Sequence, residues 1–291
     1  MLLFSAFYLY LSFASPLSAS AEAPEYLRIG TYNIQSFGRT KLARKETLTA
    51  LSHIALHFDV LALQEIGSNA SSASEASCQD VMEGYVARIN ELSGNNLYSF
   101  VRGDQFAVVY RKDRVQVGAW ELYAGRESFA YSPLMVYLKT LEAPFDFILV
   151  SIHIRPSLAS TEIPSLAKLA LEAADLFDEK DVILAGDYNA DGSYYDEGAG
   201  SFLTGFPSVQ FISVVGNGTD TSVGAASNSY DRMQLTVSMI EDYADSWTVL
   251  HPAQFLDVSL LEGPPTLAGT EGALSDHYPI QAYFYTQKDS D

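Results

Sequence analysis

Asn33, Glu65, Asp187, Asn189 and Asp276 are spread along a 291-residue chain, yet each stands at the end of a short apolar run or just ahead of one. Together they form an oxygen-only set. A hard cation such as Mg2+ takes oxygen donors and keeps several waters, so one or two carboxylates and an amide suffice to hold it. His153 and His277 occupy similar places, and imidazole gains or loses a proton near neutral pH, which suits an acid–base pair. Each imidazole needs an orienting carboxylate on its other nitrogen, and Asp104 and Asp231 are the candidates. A cation against phosphoryl oxygens, an acceptor for a water proton and a donor for the leaving oxygen are what phosphodiester hydrolysis requires.

The elements that must position these groups are legible from periodicity. Leu27 to Asn33 alternates apolar and polar residues and reads as a strand. Lys41 to Phe58 carries Leu48, Leu51, Ile54, Ala55 and Phe58 at helical spacing. Asp59 to Leu63 is a near-continuous apolar run, as expected of an inner strand, and it stops at Gln64-Glu65. Further strands are expected at Gln105–Tyr110, Leu134–Leu138 and Phe145–His153. Thr161 to Phe177 returns to helical spacing, with Pro164 tolerable in its first turn. Val182 to Ala185 is another buried strand, ending at Gly186-Asp187-Tyr188-Asn189, and Val209–Val214, Arg232–Val237 and Pro279–Tyr285 complete the set. Buried strands mixed with helices imply a layered α/β architecture. In such folds strand ends converge on one rim, where ligands bind.

Six motifs then appear in order: Tyr32-Asn33-Ile34-Gln35-Ser36-Phe37-Gly38, Gln64-Glu65-Ile66, Ser151-Ile152-His153, Gly186-Asp187-Tyr188-Asn189-Ala190-Asp191, Tyr230-Asp231-Arg232 and Ser275-Asp276-His277-Tyr278-Pro279. Their order and spacing resemble the deoxyribonuclease I family, within the endonuclease/exonuclease/phosphatase superfamily, from about Leu27 to Tyr285. The resemblance implies a four-layer α-β-β-α sandwich of two packed mixed sheets with the site at one rim. It implies that Glu65, with Asn33 nearby, holds Mg2+ or Mn2+, and that Asp187 and Asn189 position the attacking water and the phosphate. His153 and His277 would flank that phosphate, with Asp231 steadying His277 and Asp276 completing the cluster. DNA is the implied substrate, cut with little base preference by a monomer. Actin binding, known for some members, is not inferred from these residues.

The departures from the family pattern bear on the same site. Asp104 stands where the family places a glutamate to pair with the first histidine. Family arginines that touch DNA fall at Gln35, Gly67 and Tyr131, and Arg102 is placed to replace them in part as a substrate contact. Weaker or differently selective DNA binding is therefore expected, with the cutting chemistry kept. The family's cysteine pair falls near Gly192 and Asn228, and Asp220 among Thr219, Thr221 and Ser222 resembles part of a structural Ca2+ loop. A phosphatase or phosphodiesterase acting on lipid or small-molecule phosphoesters is the alternative, and a non-catalytic binding protein a third.

Composition bounds these readings. The net charge of −19 argues against tight, static binding to DNA, although fields fade within about 8 Å at physiological salt and a bound cation can meet the phosphate locally. Residues 2–13 form an apolar segment, and Ala19-Ser20-Ala21 is an A-x-A cleavage site before Glu22. A signal peptide over 1–21 and one domain over 22–291 are expected, giving a secreted protein with no membrane segment after cleavage; an uncleaved anchor is the alternative. The single cysteine, Cys78, excludes an intrachain disulfide. Asn69-Ala-Ser71 and Asn217-Gly-Thr219 are sequons, and Ser68 to Ser77 reads as a surface loop. His53 and His57, four apart, lack a third ligand and read as helix-surface residues, and His251 as a loop residue. Tyr194 and Tyr195 are assigned to packing, with a place along a substrate cleft as the alternative.

Overall fold

Period-two alternation on β1 (Tyr26–Phe37) sends Leu27 and Ile29 to one side of a sheet and Tyr32 and Ile34 to the other. The same rule on every central strand builds two sheets with apolar residues on both faces. The computed structural model describes residues 26–67, 75–196, 210–257 and 273–289. The expected signal peptide, Asn69 and most of the Ser68–Ser77 stretch lie outside the described residues. Among those described, one six-stranded sheet runs in the order β11 (Tyr243–Val249), β12 (Ile280–Tyr285), β1, β2 (Val60–Ile66), β4 (Phe106–Arg111) and β3 (Tyr98–Gly103). The other runs β5 (Val115–Leu122), β6 (Leu134–Thr140), β7 (Asp146–His153), β8 (Val182–Asp187), β10 (Asp231–Thr236) and β9 (Phe211–Ser213). Among the described strands only β1–β2 and β7–β8 pair in parallel, so both sheets are mixed.

Three apolar layers hold the sheets. Leu27, Ile29, Val108, Val136, Leu149, Ile183 and Phe284 interdigitate between them. Tyr32, Leu63 and Val109 meet α2 (Lys45–Ala55) and α3 (Glu75–Ser93) through Leu51, Ile54, Val81, Tyr85 and Ile89. Ile148, Val150 and Leu184 meet α5 (Leu166–Phe177) through Leu169, Ala170 and Ala173. The molecule is therefore the α-β-β-α sandwich that the resemblance implies.

Several elements differ from their sequence reading. The helix expected over 41–58 splits into α1 (Arg39–Leu42) and α2, with Phe58 packed beneath them beyond the helix end. Thr161–Phe177 is likewise broken: α4 (Ala159–Glu162) precedes a 3-10 turn holding Pro164, and the regular helix begins at Leu166. Strands β3, β5 and β11 and helix α3 were not anticipated. Asp104 is exposed in the turn joining β3 to β4.

The central strands share one property that decides the site. On the face between the sheets, each begins apolar and ends polar at the same rim: Leu27 and Ile29, then Thr31 and Asn33; Phe147 and Leu149, then Ser151 and His153; Ile183 and Ala185, then Asp187. Strand β10 runs the other way, so its first residue, Asp231, reaches that rim opposite Asp187. Below it, Gln64 bridges the two sheets, donating to Ser151 Oγ at 2.9 Å and accepting from Thr31 Oγ1 at 3.2 Å.

Candidate metal-assisted active site

Strand pairing sets the site's spacing. His153 lies opposite Asp187 in the β7–β8 register, and Asp187 lies opposite Asp231 in β8–β10. Neighbouring strands stand about 5 Å apart, so this row places an imidazole and two carboxylates side by side. From the facing sheet, Asn33 donates through Nδ2 to both Asp187 Oδ2 and Glu65 Oε1, each at 3.1 Å. One amide therefore ties the two sheets together at the rim. His277 arrives from the segment before β12, where Ser275 Oγ donates to Asn33 O at 2.6 Å and accepts from His277 N at 3.1 Å.

The imidazoles are mirror partners around one oxygen. His277 Nε2 is 3.5 Å and His153 Nε2 3.7 Å from Asp187 Oδ2. His277 Nδ1 donates to Asp231 Oδ2 at 2.7 Å. His153 Nδ1 lies 2.8 Å from Gln105 Oε1, and an amide oxygen only accepts, so Nδ1 carries the hydrogen there too. Both rings consequently aim Nε2 at the space beside Asp187. Asp187 Oδ1 accepts from Asn189 N at 2.9 Å, and Asn189 Nδ2 donates to Ile154 O at 2.9 Å.

Charge is concentrated in a nearly buried space. Burial pushes Glu65 upward, but the hydrogen bonds from Asn33 and Ser36 N and the two imidazoles outweigh it and bring its carboxyl below the ordinary value. Asp187 is raised, first by burial and then by Asp231, against the pull of His277 and His153. His277 is held well above the usual imidazole value: burial opposes its charge, and Asp231, Asp187 and Asp276 together prevail. The carboxylates around His277 therefore favour its charged form, whereas His153 leans on a neutral amide instead.

This donor set suits a hard divalent cation. Glu65 Oε1 and Asp187 Oδ2 are gathered by the same Asn33 amide, and Asp231 Oδ1 is buried with no hydrogen-bond partner among the described residues. Oxygens of Asp187 and Asp231 and a nitrogen of His277 also lie within 4.8 Å of one another. Because His277 Nδ1 is spent on Asp231, the open cation-holding edge is the one shared by Glu65 and Asp187 and bridged by Asn33, of which only Oδ1, accepting from Gln35 N at 3.0 Å, is a ligand atom for a hard cation.

The expected residues thus converge, with one correction and two qualifications. Asp104 is not the partner of His153; it takes a left-handed turn conformation with φ of 50° and faces solvent, and the next residue, Gln105, turns inward and fills the role. Asp276 is half exposed at the mouth, 3.8 Å from His277 Nε2, rather than deep in the cluster. Arg102 is engaged with Gln79 at 3.0 Å. Tyr131, at a position expected to carry a family arginine, stacks on His153 with centroids 5.0 Å apart. Sequence reasoning missed Gln105, whose signal lies in turn geometry and burial rather than in motif. Elsewhere, Asp220 Oδ1 accepts from Ser222 N and Oγ and from Asn228 N, organising its own loop. A Cβ on Gly192 would lie 3.0 Å from Asn228 Oδ1, so the two positions assigned to a cysteine pair are neighbours. His57 lies beyond the end of α2 and packs on Phe255. Tyr195 is buried, whereas Tyr194 is exposed beside Tyr230.

Comparison with known proteins agrees with this fold and identifies the family. Residues 30–277 match the model of the endonuclease/exonuclease/phosphatase family. Deoxyribonuclease-1 of Bos taurus is 26% identical over 266 residues, covering 88% of this chain and 91% of that protein. Among solved structures, D. rerio TDP2 complexed with a single-strand DNA product superposes with a TM-score of 0.60 at 18% identity, over 90% of this chain and all of that one. Mannosyl-6-phosphatase Bt3783 of Bacteroides thetaiotaomicron gives 0.56 at 14%, over 88% of this chain and 98% of that one.

Proposed function

This chain belongs to the endonuclease/exonuclease/phosphatase family, and from that premise we propose that it is a divalent-metal-dependent endonuclease, exported from the cell, that hydrolyses phosphodiester bonds of DNA with little sequence preference. The observation that carries the reading is the pair of imidazoles whose Nε2 atoms face one Asp187 oxygen at 3.5 and 3.7 Å. Both Nε2 atoms therefore serve one space beside that oxygen, where a phosphoryl group would meet two proton carriers. The similarity to deoxyribonuclease-1 supports DNA as the substrate.

Glu65, Asn33 and Asp187 would hold Mg2+ or Mn2+, which when bound supplies charge neutralisation at the phosphoryl oxygens. His277, charged through Asp231, donates its Nε2 proton to the leaving oxygen. His153 keeps its hydrogen on Nδ1, where it donates to Gln105 Oε1, so its Nε2 lone pair accepts the proton of the attacking water. Asp187 orients both rings, and the Asn189 main chain fixes Asp187. Asn189 and Asp276 flank the phosphate at the mouth.

One observation favours a second reading. The described rim offers few cations: Gln35, Gly67 and Tyr131 stand where arginines were expected, and Arg102 is tied to Gln79. Hydrolysis of a lipid or small-molecule phosphoester needs no long cationic track. Plasmid nicking in Mg2+, with and without EDTA, run beside lipid and sugar phosphoesters, separates the two. Metal-dependent nicking abolished in His153→Ala and His277→Ala is the expected result; turnover of small phosphoesters without nicking would establish the second reading.

A further inference from the structure

Lys41 is a buried lysine outside the catalytic cluster. It sits on α1, is 7% exposed, and its ammonium donates to Ile34 O at 2.8 Å and Gln35 O at 2.9 Å. Those carbonyls belong to a bulge in β1. Asn33 pairs with Gln64 and Phe37 with Ile66, so Ile34, Gln35 and Ser36 stand opposite Glu65 alone. Gln35, Ser36 and Glu65 all adopt left-handed backbone, with φ of 42°, 50° and 64°. Non-glycine residues resist that conformation, and three together persist only where the surroundings impose it.

The bulge turns its amides toward the site and its carbonyls away. Gln35 N donates to Asn33 Oδ1 at 3.0 Å, and Ser36 N donates to Glu65 Oε2 at 2.7 Å. Broken out of the ladder, the Ile34 and Gln35 carbonyls need donors, because buried acceptors without partners are costly. The Lys41 ammonium supplies both. Its charge also feels Asp276 and Glu65 across the bulge.

We propose that Lys41 is the positioning residue of the cation-binding edge: it clamps the β1 bulge in the shape that presents Asn33 and Glu65 to a divalent ion. This rests on the reading of Glu65 and Asn33 as cation holders and not on the choice of substrate. Charge and clamping predict opposite signs. A positive group behind Glu65 repels a second cation, so removing it as a mere charge would tighten metal binding. Removing a clamp loosens it.

The test is calorimetric titration of metal-free protein with MnCl2, comparing wild type with Lys41→Met and Lys41→Gln, with melting temperature read on the same samples. The clamp predicts a Mn2+ Kd raised at least tenfold in Lys41→Met, with Lys41→Gln, which retains a shorter NH2 donor group, in between. A Kd within twofold of wild type, or a tighter one, in a folded variant overturns the proposal. If Lys41→Met does not fold, Lys41→Gln carries the test by the same criterion. A wild type that takes up no Mn2+ overturns the clamp together with the cation edge. The expected Kd change without any DNA nicking supports the clamp and sinks only the substrate reading.

Discussion

At the scale of the residue, two substitutions one position apart separate reading from geometry. Gln105→Leu removes the acceptor that holds His153 Nδ1 among the described residues and frees the ring; turnover is expected to fall about 100-fold, the low end of what a general base contributes, with little change in KM. Asp104→Ala should stay within about twofold, because the side chain faces solvent. A plasmid-nicking time course on both variants checks the pair, and equal losses would mean that the hairpin is wrongly placed. The sequence makes Asp104 the natural candidate because an acidic residue stands there. What it hides is the two-residue turn: Gly103 pairs with Phe106, so Asp104 bends outward and Gln105 inward. Lys41 makes a second residue-scale prediction. Burial brings its pKa from 10.5 down to about 8, so the folded protein releases a proton that the unfolded chain keeps. With the unfolded state binding more protons between about pH 8 and 10.5, this residue's contribution to stability rises across that window, by roughly 3 kcal/mol. Denaturant melts should show that gain in wild type and lose it in Lys41→Met.

At the scale of the element, the β7–β8 pair is the least forgiving part of the molecule. Gly186, at φ of 154°, lies so close to β7 that a Cβ would sit 1.9 Å from Ile152 O. Gly186→Ala is therefore expected to cost on the order of 4 kcal/mol or more, since main chain must move and neither strand can yield alone. Soluble yield and melting temperature report the result, and a melt near wild type would refute the packing. Inner strands and amphipathic helices are legible in sequence because burial on one or two faces writes a period. Thus β2, β7 and β8 read as apolar runs, and Leu51, Ile54 and Ala55 mark α2. Strand β5 shows no such pattern because most of its residues are exposed at a sheet edge. Helix α3 does carry Val81, Met82, Tyr85, Val86 and Ile89 at helical spacing, but its start at Glu75 falls inside the Ser68–Ser77 stretch whose composition reads as a loop.

At the scale of the whole molecule, the net charge of −19 should set how the protein meets a polyanion. Like-charged partners repel, and raising salt from about 10 to 150 mM shortens the screening length from roughly 30 to 8 Å. At fixed Mg2+, kcat/KM on plasmid DNA is expected to climb several-fold over that range before levelling, the reverse of a basic nuclease that depends on counterion release. A steady decline with salt would instead reveal a local cationic track. The rim itself has a last consequence. Alternate residues of each central strand hand their final inward position to the site, so Asn33, His153 and Asp187 depend on an even count from the core outward. Losing a single codon inside β7 would swing His153 to the helix side, while conservative swaps there would leave it in place. The reading frame of the fold, more than its chemistry, is what inheritance must protect: lineages of this protein should accept substitutions along these strands and reject one-residue indels.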